Sequence, residues 1–117
     1  MTGLSLIALG TLLLAWLVMP KAVIVTRIVD GDSLEVRRGK KRLRIRIAGL
    51  DAPEYRQPGG RASLRALEEI VTSQTVRICL GRTDRYGRIA TTCLVGWTPI
   101  HWKMIRAGHG WPCSFMG

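Results

Sequence analysis

Carboxylates are scarce in this chain, and most of them fall in one stretch. Eight Asp and Glu residues stand against 18 Lys and Arg residues, and five of the eight are Asp30, Asp32, Glu35, Asp51 and Glu54. Asp32 and Asp51 lie at the ends of predicted strands beside loops, so a three-stranded meander would bring them within reach of each other. Two carboxylates with carbonyl groups and waters suit a hard cation such as Ca²⁺ or Mg²⁺. Glu54 follows Pro53 closely and could orient or deprotonate a water.

Two arginines supply the complementary charge. Arg46 leaves the third predicted strand on the face away from the core, and Arg88 stands at the start of the fifth. A guanidinium binds phosphate bidentately and stays charged, so this pair could stabilise the additional negative charge of a phosphodiester in its transition state. Taken singly, the same residues fit simpler roles, a turn at residues 30–32 and solvated surface charge at each arginine.

The elements that position these residues follow from the apolar pattern. Residues 22–28, 33–36 and 41–47 predict three strands joined by turns. In the third, Leu43, Ile45 and Ile47 alternate with Arg42, Arg44 and Arg46, so the arginines share the face opposite the core. The residues 76–80 and 89–95 predict two more strands joined by a hairpin, and helices are predicted over 61–73 and 99–107.

This order of elements predicts a mainly β fold with α-helices. Three strands, a helix, two strands and a second helix suit a five-stranded OB-fold Greek-key barrel with two helices, whose open face commonly binds nucleic acid. The formal net charge of +10 predicts an anionic partner, and charge alone leaves nucleic acid and an anionic membrane surface open.

The first 20 residues carry no charged side chain. The apolar run from Leu4 to Met19 predicts an N-terminal hydrophobic helix in segment 1–20, a signal anchor or a signal peptide, with the anchor preferred and a buried core helix as the alternative. Segment 21–117 is then the folded domain. We expect a protein that is membrane-anchored, or secreted or periplasmic, and its orientation stays open because Lys21 and Arg27 favour a cytoplasmic C-terminal side.

The cysteines argue weakly for export. Cys79 and Cys93 lie in the two runs that the predicted hairpin joins, where a cross-strand disulfide is feasible in an oxidising compartment. Three reduced thiols, with Cys113 as the third, are an equal alternative.

Three sequence blocks closely resemble the signatures of the staphylococcal-nuclease-like (thermonuclease) family. They are Val29-Asp30-Gly31-Asp32-Ser33, Ala48-Gly49-Leu50-Asp51-Ala52-Pro53-Glu54 and Asp84-Arg85-Tyr86-Gly87-Arg88. Their order and spacing match as well, and the resemblance covers about residues 23–111. It implies an OB-fold barrel and a Ca²⁺-dependent nuclease that cleaves DNA and RNA at the 5′ side of the phosphodiester, leaving 3′-phosphate ends.

The resemblance also implies a role for each matching residue. Asp32 and Asp51 would be the Ca²⁺ carboxylates, with the backbone carbonyl of Ala52 as a further ligand and Asp30 as an outer-shell acid. Glu54 would be the general base or would orient the water. Arg46 and Arg88 would bind the reacting phosphate. Arg85 and Tyr86 would line the nucleotide-binding surface.

Two departures from the family stand out. Ala52 occupies a position where the family usually has Thr, and the chain stops soon after Trp111, where family members usually continue into another helix. Trp111 and Phe115 are expected to replace part of that packing, with stacking on a base as the alternative.

We expect a monomeric nuclease with no nucleotide cofactor that acts on DNA or RNA and meets a membrane through its N-terminal segment. The alternative is a non-catalytic OB-fold module that binds nucleic acid and is tethered to a membrane. A basic domain that faces only lipid would explain the charge but not the acidic set.

Overall fold

The computed structural model describes residues 2–113. Helix α1 (Thr2–Val18) precedes three long strands, β1 (Lys21–Asp30), β2 (Ser33–Arg38) and β3 (Lys41–Ile47). The remaining elements are β4 (Leu50–Asp51), α2 (Gly60–Ser73), β5 (Val76–Ile78), β6 (Arg82–Thr83), β7 (Ile89–Thr91), β8 (Cys93–Val95), β9 (Thr98–Pro99), α3 (Ile100–Arg106) and β10 (Trp111–Pro112).

The first three strands form the predicted antiparallel meander. Leu34 lies opposite Ile45 and Val36 opposite Leu43, whereas Ser33, Glu35 and Arg37 lie opposite Arg46, Arg44 and Arg42 in that order. Opposed residues of an antiparallel pair share a face. The period-two pattern of β3 therefore separates an apolar core face from an arginine face, as the sequence predicts.

The segment 89–95 determines how the sheet curls. Eight strands pair in the order β6-β7-β3-β2-β1-β5-β8-β9, so β7 and β8 stand near opposite ends of that order. Only Thr92 separates the two strands in the chain. β7 pairs in parallel with β3, and β8 pairs antiparallel with β5. The sheet must therefore curl so that its two ends approach each other, which is the half-barrel form of an OB-like domain.

The core fills the inside of this curl. Fully buried side chains come from the sheet and from both later helices, and they include Leu34, Ile45, Ile47, Leu50, Leu67, Ile100 and Met104. Helices α2 and α3 match the predicted helices to within a residue or two at each end. Their apolar faces cover the core from one side.

The strand count of the sequence prediction is wrong. Residues 2–113 form ten strands in place of the predicted five, because the predicted fifth strand divides at Thr92 and four pairs of residues form two-residue strands. A two-residue strand cannot show a periodic pattern, so β4, β6, β9 and β10 have no sequence signal of their own. The helices of the described chain number three.

Helix α1 is the predicted N-terminal helix, and its described side chains are exposed. Leu6, Ile7, Leu13 and Trp16 are among them. The Lys21 ammonium lies 3.7 Å from the centre of the Trp16 ring and bonds the Trp16 carbonyl oxygen. Within residues 2–113, none of the helices combines the length and the apolar character needed to cross a membrane. This finding corrects the expectation of a spanning helix.

Cys79 and Cys93 are free thiols, so the structure contains no disulfide between them. The register explains this, because Cys93 lies opposite Ile78 and not opposite Cys79. The Cys79 amide instead donates a hydrogen bond to the Thr92 carbonyl at 3.1 Å. Cys93 is fully buried in the core.

Candidate active site

Arg46 lies between the two aspartates that the sequence singles out. Its Nη1 is 3.5 Å from Asp32 Oδ2, and its Nη2 is 3.6 Å from Asp51 Oδ1. The same guanidinium therefore faces both carboxylates. The Arg46 side chain is 21% exposed, against 10% for Asp32 and 47% for Asp51, so the cluster opens to solvent on the Asp51 side.

The β2–β3 pairing brings Arg46 to this position. Arg46 is opposite Ser33, the residue after Asp32, and the Ile47 amide donates to the Asp32 carbonyl at 2.8 Å. Arg46 Nη1 also donates to the Leu50 carbonyl at 2.6 Å and to the Ile47 carbonyl at 3.1 Å. These bonds hold the β3–β4 turn around the guanidinium, so the turn delivers Asp51 to the same place.

Asp32 is a buried carboxylate whose two oxygens are both bonded. The Ser33 hydroxyl donates to Oδ1 at 2.9 Å, and the Ala52 amide donates to Oδ2 at 2.9 Å. A buried charge needs such partners. Gly31, just before it, lets this turn approach α2, because a Cβ there would lie 1.9 Å from Ser63 Oγ.

Asp51 has a partner that sequence reasoning missed. The indole Nε1 of Trp111 donates to Asp51 Oδ2 at 3.2 Å, and Trp111 is opposite Asp51 in the β10–β4 pair. Gly110 permits this approach, since a Cβ there would lie 2.8 Å from the Asp51 carbonyl oxygen. Trp111 is 52% exposed, so it lies against β4 at the surface and outside the core, and its replacement of part of the missing packing stays a prediction. Phe115 lies outside the described residues.

Asp30 forms a hydrogen bond with the loop that follows β4 and carries Glu54. Asp30 Oδ1 accepts a hydrogen bond from the Tyr55 amide at 2.8 Å, which ties the end of β1 to the residue after Glu54. The Glu54 amide donates a hydrogen bond to Gln57 Oε1 at 2.8 Å. Glu54 is exposed, and within residues 2–113 its carboxylate has no hydrogen-bond or ion-pair partner. Asp30 thus fixes the loop, and the Glu54 carboxylate is available to solvent.

The 84–88 turn carries the remaining predicted residues. Asp84 Oδ2 accepts from Arg88 Nε at 2.9 Å, and Oδ1 accepts from the amides of Tyr86 and Arg88. Burial alone would raise the pKa of Asp84, yet these two amides and the guanidinium together lower it below its ordinary value. Arg85 and Tyr86 are exposed, and the Tyr86 ring lies 5.2 Å from the Arg85 guanidinium and 5.4 Å from that of Arg88. Asp84 organises this turn, a role that the motif reading left unassigned.

The structure unites some of the predicted residues by direct contact and relates others only by register. Asp32, Ala52, Asp51 and Arg46 are in one bonded cluster. Arg88 precedes β7, whose Ala90 is opposite Arg46 in the parallel β3–β7 pair, so Arg88 lies on the arginine face near Arg44. Its guanidinium forms an ion pair with Asp84. Within residues 2–113, the Glu54 carboxylate does not contact the cluster, and Glu54 is connected to it through the loop after Ala52.

This cluster offers a hard cation two carboxylate groups. In the part of the chain that the structure describes, no group of three or more His, Cys, Asp or Glu side chains converges. Asp32 and Asp51 are therefore its two potential carboxylate ligands. A cation bound there would take its other oxygen ligands from the backbone and from water. That division fits Ca²⁺ or Mg²⁺, since both take carboxylate, carbonyl and water oxygens as ligands.

One protein family and several individual proteins resemble this chain in sequence. A family model described as "Staphylococcal nuclease homologue" matches residues 44–116, which include Arg46, Asp51, Glu54 and Arg88. The chain belongs to the staphylococcal nuclease family. Two of the three sequence blocks, residues 48–54 and 84–88, lie within the match, so membership of the family that the blocks resemble is confirmed.

Individual relatives of this family member carry nuclease names. An "Uncharacterized endonuclease" of Escherichia coli is 38% identical over 88 residues, which cover 74% of this chain and 58% of that protein. One of the same name from Haemophilus influenzae is 33% identical over 74% of this chain and 49% of its own length. A "Micrococcal nuclease" of Shigella flexneri is 30% identical over 80% of this chain and 59% of its own. The chain spans about half to three-fifths of these relatives.

Proposed function

We propose that this family member is a Ca²⁺-dependent nuclease that hydrolyses phosphodiester bonds of DNA or RNA. The observation that carries the proposal is the Arg46 guanidinium held between Asp32 and Asp51 at the solvent-open end of the arginine face. Phosphate is the ligand that such a guanidinium binds best, and paired carboxylates beside it supply the ligands of a hard cation.

The proposal gives each residue one task at the reacting phosphate. Asp32 and Asp51, with the Ala52 carbonyl, would hold Ca²⁺, which supplies positive charge against the phosphate oxygens when bound. Arg46 and Arg88 donate N–H groups to the non-bridging oxygens and stabilise the charge that grows on them. The two roles of Arg46, toward carboxylate and toward phosphate, use different N–H groups of its five.

Glu54 completes the reaction as base. It accepts a proton from the attacking water while the water oxygen bonds to phosphorus. The bond from phosphorus to the 5′ oxygen breaks, and that oxygen takes a proton from solvent. The products are a 3′-phosphate and a 5′-hydroxyl end. Asp30 supports this step by fixing the loop at Tyr55, and Arg85 with Tyr86 would contact the nucleotide.

The test uses the full chain in mild detergent with labelled single-stranded DNA and RNA, with Ca²⁺ or with a chelator. Cleavage should require Ca²⁺. Arg88→Ala and Glu54→Gln should each lower turnover about 100-fold or more, since an oriented donor to the transition state is worth about 3 kcal/mol. Arg65→Ala and Glu69→Gln, exposed residues of α2, are the matched controls.

A binding-only domain is the outcome that would overturn this proposal. If the protein binds DNA at millimolar Ca²⁺ without cutting it, the nucleic-acid-binding module tethered to a membrane replaces the nuclease. If both variants cleave like the wild type, the roles given to Arg88 and Glu54 are wrong. Location at a membrane or outside the cytoplasm stays a prediction. Cell fractionation with an antibody to the full chain tests it.

A further inference from the structure

The arginine face extends well beyond the candidate site. Arg46, Arg44 and Arg42 follow one another on the same side of β3, and Arg37 of β2 lies directly opposite Arg42. Arg37, Arg42 and Arg44 are all exposed. We call these three residues the arginine track. It runs from Arg46 to the β2–β3 turn, away from the aspartates.

An open groove follows this track. Its volume is about 550 Å³, and its lining includes all three track residues together with Thr26, Arg27, Glu35 and Leu43. Glu35 is the one acid in the lining, and it is paired with Arg27 at 3.6 Å. Arg37 donates to the neutral Gly39 carbonyl. The track therefore keeps its positive charge, because no acid of the described chain forms an ion pair with any of its three residues.

The spacing of the track is regular. Alternate residues of a strand are about 6.8 Å apart, so Arg42, Arg44 and Arg46 form a row of arginine positions at about that interval. Successive phosphates of an extended single strand have a comparable spacing. One guanidinium of the row can therefore meet each successive phosphate of a strand.

An aromatic side chain lies beside the row. Arg44 Nη1 is 3.5 Å from the Tyr86 carbonyl oxygen, and Tyr86 is 60% exposed. Single-strand binding surfaces combine a basic groove with exposed aromatics on which bases stack. Tyr86 stands where the track meets the candidate site.

We propose that the arginine track binds consecutive phosphates of single-stranded DNA or RNA on one side of the phosphate at Arg46. The inference deepens the proposed function and rests on it for the meaning of that phosphate. It makes the protein a nuclease that prefers single strands long enough to occupy the track. Very short substrates forgo this binding.

A binding experiment isolates the track from catalysis. The full chain is titrated with fluorescein-labelled oligothymidylate of increasing length in chelator, at several salt concentrations. Arg42→Gln with Arg44→Gln should weaken binding of a 12-mer roughly tenfold and reduce the salt slope by about 1.4, because each single-strand contact contributes about 0.7. Arg65→Gln with Arg106→Gln removes the same charge elsewhere and should change affinity less than twofold. Circular dichroism confirms that both double variants fold.

A cleavage experiment in Ca²⁺ separates the inference from the proposed function. The track variant should lose about tenfold more kcat/KM on a 12-mer than on a trinucleotide, whereas the control pair should lose nothing on either. If the wild type cleaves neither substrate, the nuclease proposal fails while the titration still tests the track. If it cleaves both and the track variant shows no length dependence, the inference fails and the nuclease stands.

The same binding experiment tests two other ligands of the arginine track, a duplex and a lipid surface. A duplex 12-mer that binds more tightly than the single strand, and loses as much affinity in the track variant, overturns the preference for single strands. Phosphatidylglycerol vesicles, compared with phosphatidylcholine vesicles, test a lipid surface. If the track variant loses vesicle binding and keeps its oligonucleotide affinity, the track faces a membrane and the inference is wrong.

Discussion

Trp111 Nε1 donates a hydrogen bond to Asp51 Oδ2 at 3.2 Å, across the two-residue pairing of β10 with β4. The other Asp51 oxygen faces Arg46. The indole therefore limits rotation of the more exposed carboxylate of the pair and leaves Oδ1 directed toward the guanidinium. A residue near the end of the described chain thus positions a side chain of the candidate cation site.

Trp111→Phe should weaken the response to Ca²⁺ while leaving the fold intact. A hydrogen bond to a charged group at a partly exposed site is worth about 1 kcal/mol, so the Ca²⁺ concentration for half-maximal cleavage should rise about fivefold. Turnover at saturating Ca²⁺ should change little. Trp97→Phe, which removes an exposed indole stacked on Arg77, is the control.

The same pair offers a readout that needs no cleavage. Binding of Ca²⁺ beside Asp51 should alter the fluorescence of Trp111, and the signal should vanish in Trp111→Phe but persist in Trp97→Phe. An unchanged Ca²⁺ titration of cleavage in Trp111→Phe would show that the indole has no positioning role.

Arg46→Ala should cost stability as well as activity. The substitution leaves the buried Asp32 without its countercharge and frees the Ile47 and Leu50 carbonyls. We expect the free energy of unfolding to fall by about 2–3 kcal/mol, measured by urea denaturation. Arg44→Ala, on the same face of β3 but exposed, should change it by less than about 0.5 kcal/mol.

A double variant tests whether the loss arises from Asp32. Asp32→Asn in the Arg46→Ala background removes the uncompensated charge, so the two losses should not add. Strict additivity would mean that the 3.5 Å approach contributes no coupling and that Arg46 acts through the turn carbonyls alone.

The arginine face could be predicted from the sequence, whereas part of the candidate site could not. The alternation over residues 41–47 is long enough to place Arg42, Arg44 and Arg46 on one side of a strand by its period alone. The bond between Trp111 and Asp51 joins residues 60 positions apart through a strand too short for a pattern. Likewise, the break at Thr92 depends on tertiary pairing to two different strands, which no local propensity encodes.

Asp84→Asn should reveal a pH-dependent contribution of the 84–88 turn. The folded-state pKa of Asp84 lies below its ordinary value of 3.8. Its stabilisation is therefore complete above about pH 4 and is lost as the pH falls through the folded pKa. We expect the wild type to exceed the variant by about 1 kcal/mol in unfolding free energy at neutral pH, and the difference to shrink in acid.

The control for this measurement is Glu69→Gln on the exposed face of α2. Its stability difference from the wild type should stay near zero at both ends of the pH range. A difference between wild type and Asp84→Asn that is constant with pH would assign the effect to turn geometry and not to the charge.

The buried thiol of Cys93 should be inert in the folded protein. Burial, and to a lesser extent the charge of Cys79, raises the pKa of Cys93 to about 12, and burial raises that of Cys79 as well. The thiolate is the reactive form, so iodoacetamide at about pH 8 should leave Cys93 unmodified until urea is added. Mass spectrometry of digests prepared without reductant reads both positions.

Cys79→Ser should leave the protection of Cys93 unchanged, since burial is its main cause. Recovery of a peptide pair linked through Cys79 and Cys93 from folded protein would contradict the observed register, in which Ile78 faces Cys93.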